Sequence, residues 1–476
     1  MIDVLFVNPP SPDKHIYIRD INRSGRRSRE RTIWPQTSLA YLASMVKHAG
    51  YKVDLVDCIA ESTDWEEFRQ ILKDKNPRYI VMNAITSIIS NDLYTSYLAK
   101  IMGAKSIAVG PHITQLPKET MEKFPSLDFG ILGEAEITIK ELIDACESGD
   151  DLSRVKGIVF RRGAEILVTE KRPFIENLDT LPIPLHELLP IKKYSLPYIG
   201  GNYTFVLSAR GCPNKCTFCR QNIMWEGNVR LRSTKSIFEE LKYLDSIGVK
   251  NIMFHSDTFT LDKEVVIGLC KKIVESGLKL RWCCNSRVDT VDNEMLSWMK
   301  KAGCWMIAYG IETGSDKILQ NVKKGETATV ESARNAVLLT KKNKIKVWGY
   351  FIIGLPGETK DTIDQTIKFA KELPLDIVNF AVGAPYPGTE FYAQAKEKGW
   401  LESEDWEDFD QNYSAIVSYP DLSSEEIMRG IKKAYISWFV RPRGSLAFIK
   451  GLTNIAYVKT LIKIGLMHLR ISKTHG

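Results

Sequence analysis

Cys212, Cys216 and Cys219 stand within eight residues, in the run Ser208-Ala209-Arg210-Gly211-Cys212-Pro213-Asn214-Lys215-Cys216-Thr217-Phe218-Cys219. Three thiolates on one short loop can hold three irons of a [4Fe–4S] cluster, leaving the fourth iron open to a substrate-like ligand. A structural zinc site would need a fourth protein ligand, and no Cys or His follows closely enough to supply it. The alternative is three unrelated buried thiols. Cys58, Cys146, Cys270, Cys283, Cys284 and Cys304 sit instead in apolar or strand-like surroundings, where a free thiol behaves as a small hydrophobe. With no export signal, nine cysteines do not read as a disulfide framework.

The loop must be held by something rigid, and the surrounding pattern predicts a strand just before it. From residue 204 onward, strands are expected at 205–208, 251–255, 281–285, 306–310, 346–353 and 376–381. Helical patterns at 236–247, 263–275, 293–301, 330–342 and 360–371 fall between them. Six βα units predict a partial barrel with its reactive residues at the strand carboxyl ends. The first part of the chain carries a separate βα series. Strands are expected at 3–8, 53–56, 79–82, 106–109 and 129–132, and helices at 39–49, 66–73, 94–102 and 137–146. That alternation predicts a parallel, doubly wound, Rossmann-like sheet. Ligands of such sheets bind where loops converge beyond the strand ends. Those loops are Asn8-Pro9-Pro10, residues 83–87 with Ser87, Gly110-Pro111-His112, and Gly133-Glu134. The expected division is an α/β domain at 1–148, a connection with a small hairpin at 149–200, the barrel at 201–400 and a mainly helical region at 401–476.

Three further segments accompany the cysteine loop: Phe254-His255-Ser256-Asp257-Thr258-Phe259, Tyr309-Gly310-Ile311-Glu312-Thr313-Gly314 and Gly354-Leu355-Pro356-Gly357-Glu358-Thr359. With these, residues 1–440 resemble the cobalamin-dependent radical S-adenosylmethionine (SAM) enzymes, in which a B12-binding domain precedes a radical SAM domain. The resemblance implies a [4Fe–4S] cluster on Cys212, Cys216 and Cys219, whose open iron chelates SAM. It places Phe218 beside the adenine, Glu312 near the SAM amino or ribose groups, and Arg287 opposite the SAM carboxylate, with Asp257 a further cofactor contact. The bland alternatives are a surface carboxylate for Glu312, a strand-end salt bridge for Arg287 and a helix cap for Asp257.

The same resemblance implies cobalamin in the strand-end crevice of the first domain, against Asn8, Pro9, Ser87, Gly110, His112, Gly133 and Glu134. The family motif D-x-H-x-x-G is not intact: Asp13-Lys14-His15-Ile16-Tyr17-Ile18 has Ile18 where Gly belongs. His15 is therefore either a cobalt ligand or an ordinary loop residue, with His112 and Tyr17 as lesser candidates. The implied reaction is methylation of an unactivated carbon: cob(I)alamin takes a methyl from one SAM, and a second SAM yields a 5′-deoxyadenosyl radical that activates the substrate. An external donor of flavodoxin or ferredoxin type would supply the electron. Ring formation, ring contraction or C–C coupling is the rival. A methylthiotransferase would need a second three-cysteine site, and the first domain has only Cys58 and Cys146. A cobalamin sensor without catalysis is disfavoured by the intact cysteine loop.

Composition agrees with a folded protein: of 476 residues, 44% are hydrophobic and 26% charged, which excludes a disordered or collagenous chain. No apolar run approaches the ~18 residues of a membrane-spanning helix. The acidic, short start MIDVLFVNPP reads as a mature intracellular terminus, and the Fe–S chemistry as that of an oxygen-poor cytoplasm. The net charge of +7 is unevenly placed. Arg19, Arg23, Arg26, Arg27, Arg29 and Arg31 form one basic group, and residues 441–476 contain seven Lys/Arg and no Asp or Glu. The latter stretch, with Lys450, Lys459, Lys463 and Arg470 among apolar residues, reads either as a helix packed on the barrel or as peripheral contact with an anionic bilayer at the inner face of the membrane. The substrate is accordingly a lipid, a protein side chain or a small molecule. No feature points to nucleic acid.

Overall fold

Apolar runs without alternation need cover on both faces, and the first series folds accordingly. A computed structural model describes residues 2–13, 15–19, 25–28, 32–196, 200–324 and 328–441. Strands β1 (Val4–Asn8), β2 (Val53–Asp57), β3 (Tyr79–Asn83), β4 (Lys105–Val109) and β5 (Phe129–Ile131) are parallel, in the spatial order β2-β1-β3-β4-β5. β1 and β3 are buried along their whole length. Helices α1 (Thr37–His48) and α4 (Ala135–Ser148) cover one face through Leu39, Leu42, Val46, Ile139 and Leu142. Helices α2 (Trp65–Lys75) and α3 (Ile89–Ile101) cover the other through Phe68, Leu72 and Leu98. A capping box of Asp64 and Glu67 starts α2. The strand order reverses between β1 and β3, which opens a crevice at their carboxyl ends.

The hairpin expected in the connection is present, but it belongs to this sheet. β6 (Ile158–Arg162) pairs antiparallel with β5, and β7 (Glu165–Val168) pairs with β6. Ile158, Val159 and Phe160 are buried, so leaving the strand outside the sheet would expose three large apolar side chains.

The second series forms a six-stranded, all-parallel sheet in sequential order: β8 (Tyr203–Val206), β9 (Asn251–Phe254), β10 (Arg281–Ser286), β11 (Cys304–Glu312), β12 (Lys346–Ile353) and β13 (Ile377–Val382). The order runs from β8 to β13 without closing, giving a partial barrel. Helices α5 (Thr234–Ser246), α6 (Lys263–Glu275), α7 (Asn293–Lys301), α8 (Val330–Lys342) and α9 (Lys360–Glu372) pack outside it, against Val206, Ile252, Phe254 and Ile307. The alternate residues Phe205, Met253, Cys283 and Met306 face the other way. They join one apolar cluster with Leu185, Leu189 and Tyr194 of the connection and Leu39 and Val46 of the first domain. The two domains thus share a core, with each such side chain contributing about 1.5–3 kcal/mol.

Beyond Gly399 the described chain is largely irregular until α10 (Ser424–Phe439), which packs on α9 and β13. The basic stretch from 442 onward, and Arg23, Arg29 and Arg31, lie outside the described residues. Among the described residues no helix is long and apolar enough to cross a membrane.

The loop after β12 carries an unusual carboxyl. Glu358 Oε2 accepts from the Gly354 and Leu355 N–H groups at 2.5 and 3.2 Å, while Oε1 is buried with no partner. Burial pushes its pKa up to about 7. Between the ordinary carboxyl value and about 7, the folded chain keeps a proton that the unfolded chain releases. Stability is therefore full below that window and declines as pH rises through it, by about 3 kcal/mol in all. Glu358→Gln is expected to flatten this decline in denaturation midpoints measured on both sides of the window. An unchanged slope would mean that the carboxyl is solvated.

Candidate active site

The residues singled out on the barrel come together at one end of its sheet, because each ends or follows a parallel strand. The cysteine loop leaves β8, Asp257 follows β9, Arg287 follows β10 and Glu312 ends β11. Gly211 has φ +86°, and a Cβ there would lie 1.9 Å from the Asn228 carbonyl oxygen, so only glycine fits this turn. Asp257 accepts the Gly211 N–H at 2.9 Å, and Ser256 Oγ accepts the N–H groups of Ser208 and Ala209. The turn is thereby pinned to the end of β9. Thr217 N–H donates to the Val322 carbonyl at 3.0 Å, fixing its far side.

Cys216 is buried, and desolvation pushes its thiol above the ordinary range. Lys324 and Arg287 are close enough for their charges to oppose that shift, and Glu312 for its charge to add to it. Among the described residues no three His, Cys, Asp or Glu side chains converge as ligands of a single metal ion. A cubane asks for something different, since each thiolate binds its own iron.

Glu312 is 6% exposed and holds φ +69°, a left-handed conformation that costs a non-glycine residue about 1 kcal/mol or more. Its register shifts against β12 at this point. Lys324 Nζ donates to Glu312 Oε1 at 2.7 Å. Burial opposes the Lys324 charge, but Glu312 and Cys216 hold its pKa above the usual lysine value. Arg287 gives Nε and Nη2 to Asp289 and Nη2 to the Lys324 carbonyl, while Nη1 has no partner among the described residues. Phe218 is half-buried beside Ile318, Val322 and Leu355.

In the first domain, the strand ends divide into two groups. Asn8 is committed to protein: its Nδ2 donates to Asp57 at 2.6 Å and its Oδ1 accepts from Arg19. Arg19 is in turn paired with Asp92 at 2.7 Å, fully buried, and Pro9 is buried beside this network. Other polar atoms are buried with no partner among the described residues, namely Ser11 Oγ, both side-chain polar atoms of Asn83, Ser87 Oγ and His112 Nε2. Burial, with the charges of Arg220 and Lys123, pushes His112 down to about 3, so its ring is neutral. Gly110 and Gly133 take positive φ of +120° and +72°, turning the chain at the ends of β4 and β5. His15 is half-exposed and pairs with Asp13 at 2.6 Å.

Glu134 faces the other domain. Its Oε1 accepts from Arg210 at 2.6 Å, and its Oε2 from Arg230 at 2.7 Å and the Ile175 N–H at 2.8 Å. Arg210 also pairs with Glu136, and Arg230 lies over Trp225. Burial opposes the Glu134 charge, but the two guanidinium groups hold its carboxyl below the ordinary range. With both oxygens taken by protein donors, Glu134 is an interdomain clamp acting two residues before Cys212. Lys324, Arg210 and Arg220 are not among the residues the sequence singles out, whereas Asn83 opens one of the expected strand-end loops. Only Arg210 carried a signal, its place inside the cysteine run.

A model of the B12 binding domain matches residues 29–143, and one of the radical SAM superfamily matches 206–370. An uncharacterized methyltransferase of Pyrococcus horikoshii is 34% identical over 415 residues, covering 87% of this chain and 89% of the relative. The chain belongs to the cobalamin-dependent radical SAM family. An anaerobic magnesium-protoporphyrin IX monomethyl ester cyclase of Cereibacter sphaeroides is 27% identical, covering 86% of this chain and 67% of the relative. The fold is that of the radical SAM methyltransferase TsrM of Kitasatospora setae, at TM-score 0.68 and 17% identity, covering 83% and 78% of the two chains. The family's cofactors are a [4Fe–4S] cluster, SAM and cobalamin, and the residues present fit them. The pinned three-thiol loop suits a cluster, and unpartnered amide, hydroxyl and imidazole groups suit a corrinoid edged with amides.

Proposed function

We propose that this radical SAM enzyme methylates an unactivated carbon, using cobalamin to relay the methyl group. The observation that carries this reading is the closeness of the two strand-end sites. The helix Gln221–Trp225, directly after Cys219, packs against Pro111–Gln115 at the end of β4. A relay from one cofactor site to a carbon activated at the other requires such a shared cleft. The methyltransferase of P. horikoshii supports the same reading.

When bound, the cluster and cobalamin would supply the electron that cleaves SAM and the methyl carrier. The chain's own residues position and shield. Cys212, Cys216 and Cys219 would hold the cluster, and Arg287 would offer Nη1 to the SAM carboxylate. Glu312 would accept from the SAM amino or ribose groups, with Lys324 fixing its carboxylate. Phe218 would lie against the adenine, and Asp257 would act through Gly211 by holding the loop. Asn83, Ser87 and His112, with the turns at Gly110 and Gly133, would meet the corrinoid edge. Neutral His112 would not repel a cation on cobalt. His255 stacks on Phe205 at 4.2 Å, and Trp34 caps both edge-on, giving an aromatic wall that excludes water. A flavodoxin- or ferredoxin-type donor would reduce the site, and the substrate would be a small molecule, a lipid or a protein side chain.

The test is product analysis under anaerobic, reducing conditions with SAM and cobalamin. Methyl transfer gives S-adenosylhomocysteine and 5′-deoxyadenosine in equal amounts. The cyclase relative supports ring formation as a second reading, and turnover yielding 5′-deoxyadenosine without S-adenosylhomocysteine would establish it in place of the first. Asn83→Leu is expected to weaken cobalamin retention by about tenfold, since it removes two polar atoms and leaves the corrinoid amides unpaired. Visible absorbance of the chain after gel filtration measures this, and undiminished retention would remove Asn83 from the site.

A further inference from the structure

Arg220 follows the last cysteine of the loop and is 8% exposed. Its Nε and Nη1 are buried and meet no acceptor among the described residues. The guanidinium lies 4.5 Å from the ring centre of Tyr386, which is 3% exposed and whose hydroxyl is also buried without a partner. Every other buried arginine named above has a carboxylate: Arg19 has Asp92, Arg210 and Arg230 have Glu134, and Arg287 has Asp289. The groups whose charges favour its own are Tyr386 and Cys219, and a dehydrated guanidinium without a carboxylate carries a desolvation cost that an anionic ligand would offset.

The position of the pair indicates what that is. Arg220 opens the short helix that packs on Pro111–Gln115, and the Tyr386 loop closes over the same helix, where a Cβ on Gly388 would lie 2.2 Å from Gln115 Oε1. The two groups therefore sit in the seam between the domains, beside the cluster loop and near enough to His112 for the Arg220 charge to act on it. We propose that Arg220 and Tyr386 form a receptor for an anionic group, a carboxylate or phosphate, carried by the substrate. The guanidinium would give one N–H donor from Nε and another from Nη1, pointing to different sides of the group, and the Tyr386 hydroxyl a third. This rests on the cleft being the place where substrate meets the cofactors, and it narrows the substrate to an acid or phosphate ester.

The experiment uses the full chain reconstituted with iron, sulfide and cobalamin, with inorganic phosphate and acetate as probes and chloride at equal ionic strength as the reference. Phosphate or acetate is expected to raise the wild-type Tm by about 2 °C or more. Arg220→Met is expected to melt higher than wild type in chloride, because it removes an uncompensated buried charge, and to lose the response to both anions. Arg220→Lys, which keeps the charge but not the separate Nε and Nη1 donors, should keep only part of the response, and it decides the matter if the Met variant does not fold. Iron content, cobalamin absorbance and the Kd for SAM by equilibrium dialysis should stay within about twofold of wild type in the variants. Loss of iron, cobalamin or SAM binding would assign Arg220 to a cofactor and overturn the proposal. So would a wild type indifferent to both anions, or an Arg220→Met chain that melts lower in chloride. Product formation does not enter these readouts, so they fail or succeed independently of methyl transfer.

Discussion

Cys216→Ala is expected to lower bound iron from about four per chain to near zero after anaerobic reconstitution, and to reduce SAM cleavage by more than about 1,000-fold. The size of the effect follows from the loop's construction. Gly211 turns the chain as only a glycine can, while Asp257 and Ser256 hold that turn to β9. Cys216 lies between the charges of Lys324, Arg287 and Glu312, so its loss removes the sulfur nearest the polar groups that would receive SAM. No neighbouring side chain can take its place, as Thr217 and Phe218 offer no thiolate. Cys270→Ala is the matched control: this thiol is fully buried among apolar residues behind the barrel and should cost only stability. Full iron occupancy and SAM cleavage in Cys216→Ala would separate the loop from the chemistry altogether.

Glu134→Gln is expected to destabilise the chain by about 3–5 kcal/mol, read as a fall in Tm together with easier proteolysis between the domains. The carboxylate compensates two buried guanidinium groups at once. The amide can accept from them but cannot balance their charge, and Glu136 reaches only Arg210. Replacing the group together, as Glu134→Gln with Arg210→Met, Arg230→Met and Glu136→Gln, should cost less than Glu134→Gln alone, because no unpaired buried ion then remains. A single variant that melts like wild type would show the seam to be wetted and the pairs to be weak. The consequence for function is positional: the clamp holds residue 210, two positions before the first cluster cysteine, against the end of β5.

Much of this architecture was legible in the residues. Every strand and helix of both βα series falls within a few residues of its expected place, because apolar period and caps are local properties. The hairpin at 157–168 was read correctly as a hairpin but placed in the connection, since the choice of sheet depends on whether β5 has a free edge. Glu134 has the place of a cofactor contact in the sequence, in a strand-end loop beside a glycine. Position in a loop says where a carboxylate can reach, not which of several arginines, 76 and 96 residues away, will take its oxygens. Asn8 illustrates the same point: it stands in the expected loop, and its amide is already committed to Asp57 and Arg19.

The sequence by itself determined the two parallel sheets and the three thiols on one loop, because hydrophobic period and ligand spacing need only neighbours along the chain. The tertiary structure alone decided which charges are answered within the protein and which are left open. Pairing a buried ion depends on the three-dimensional meeting of distant segments. That is why Glu134 is a clamp, Lys324 holds Glu312, and Arg220 has no carboxylate partner among the described residues.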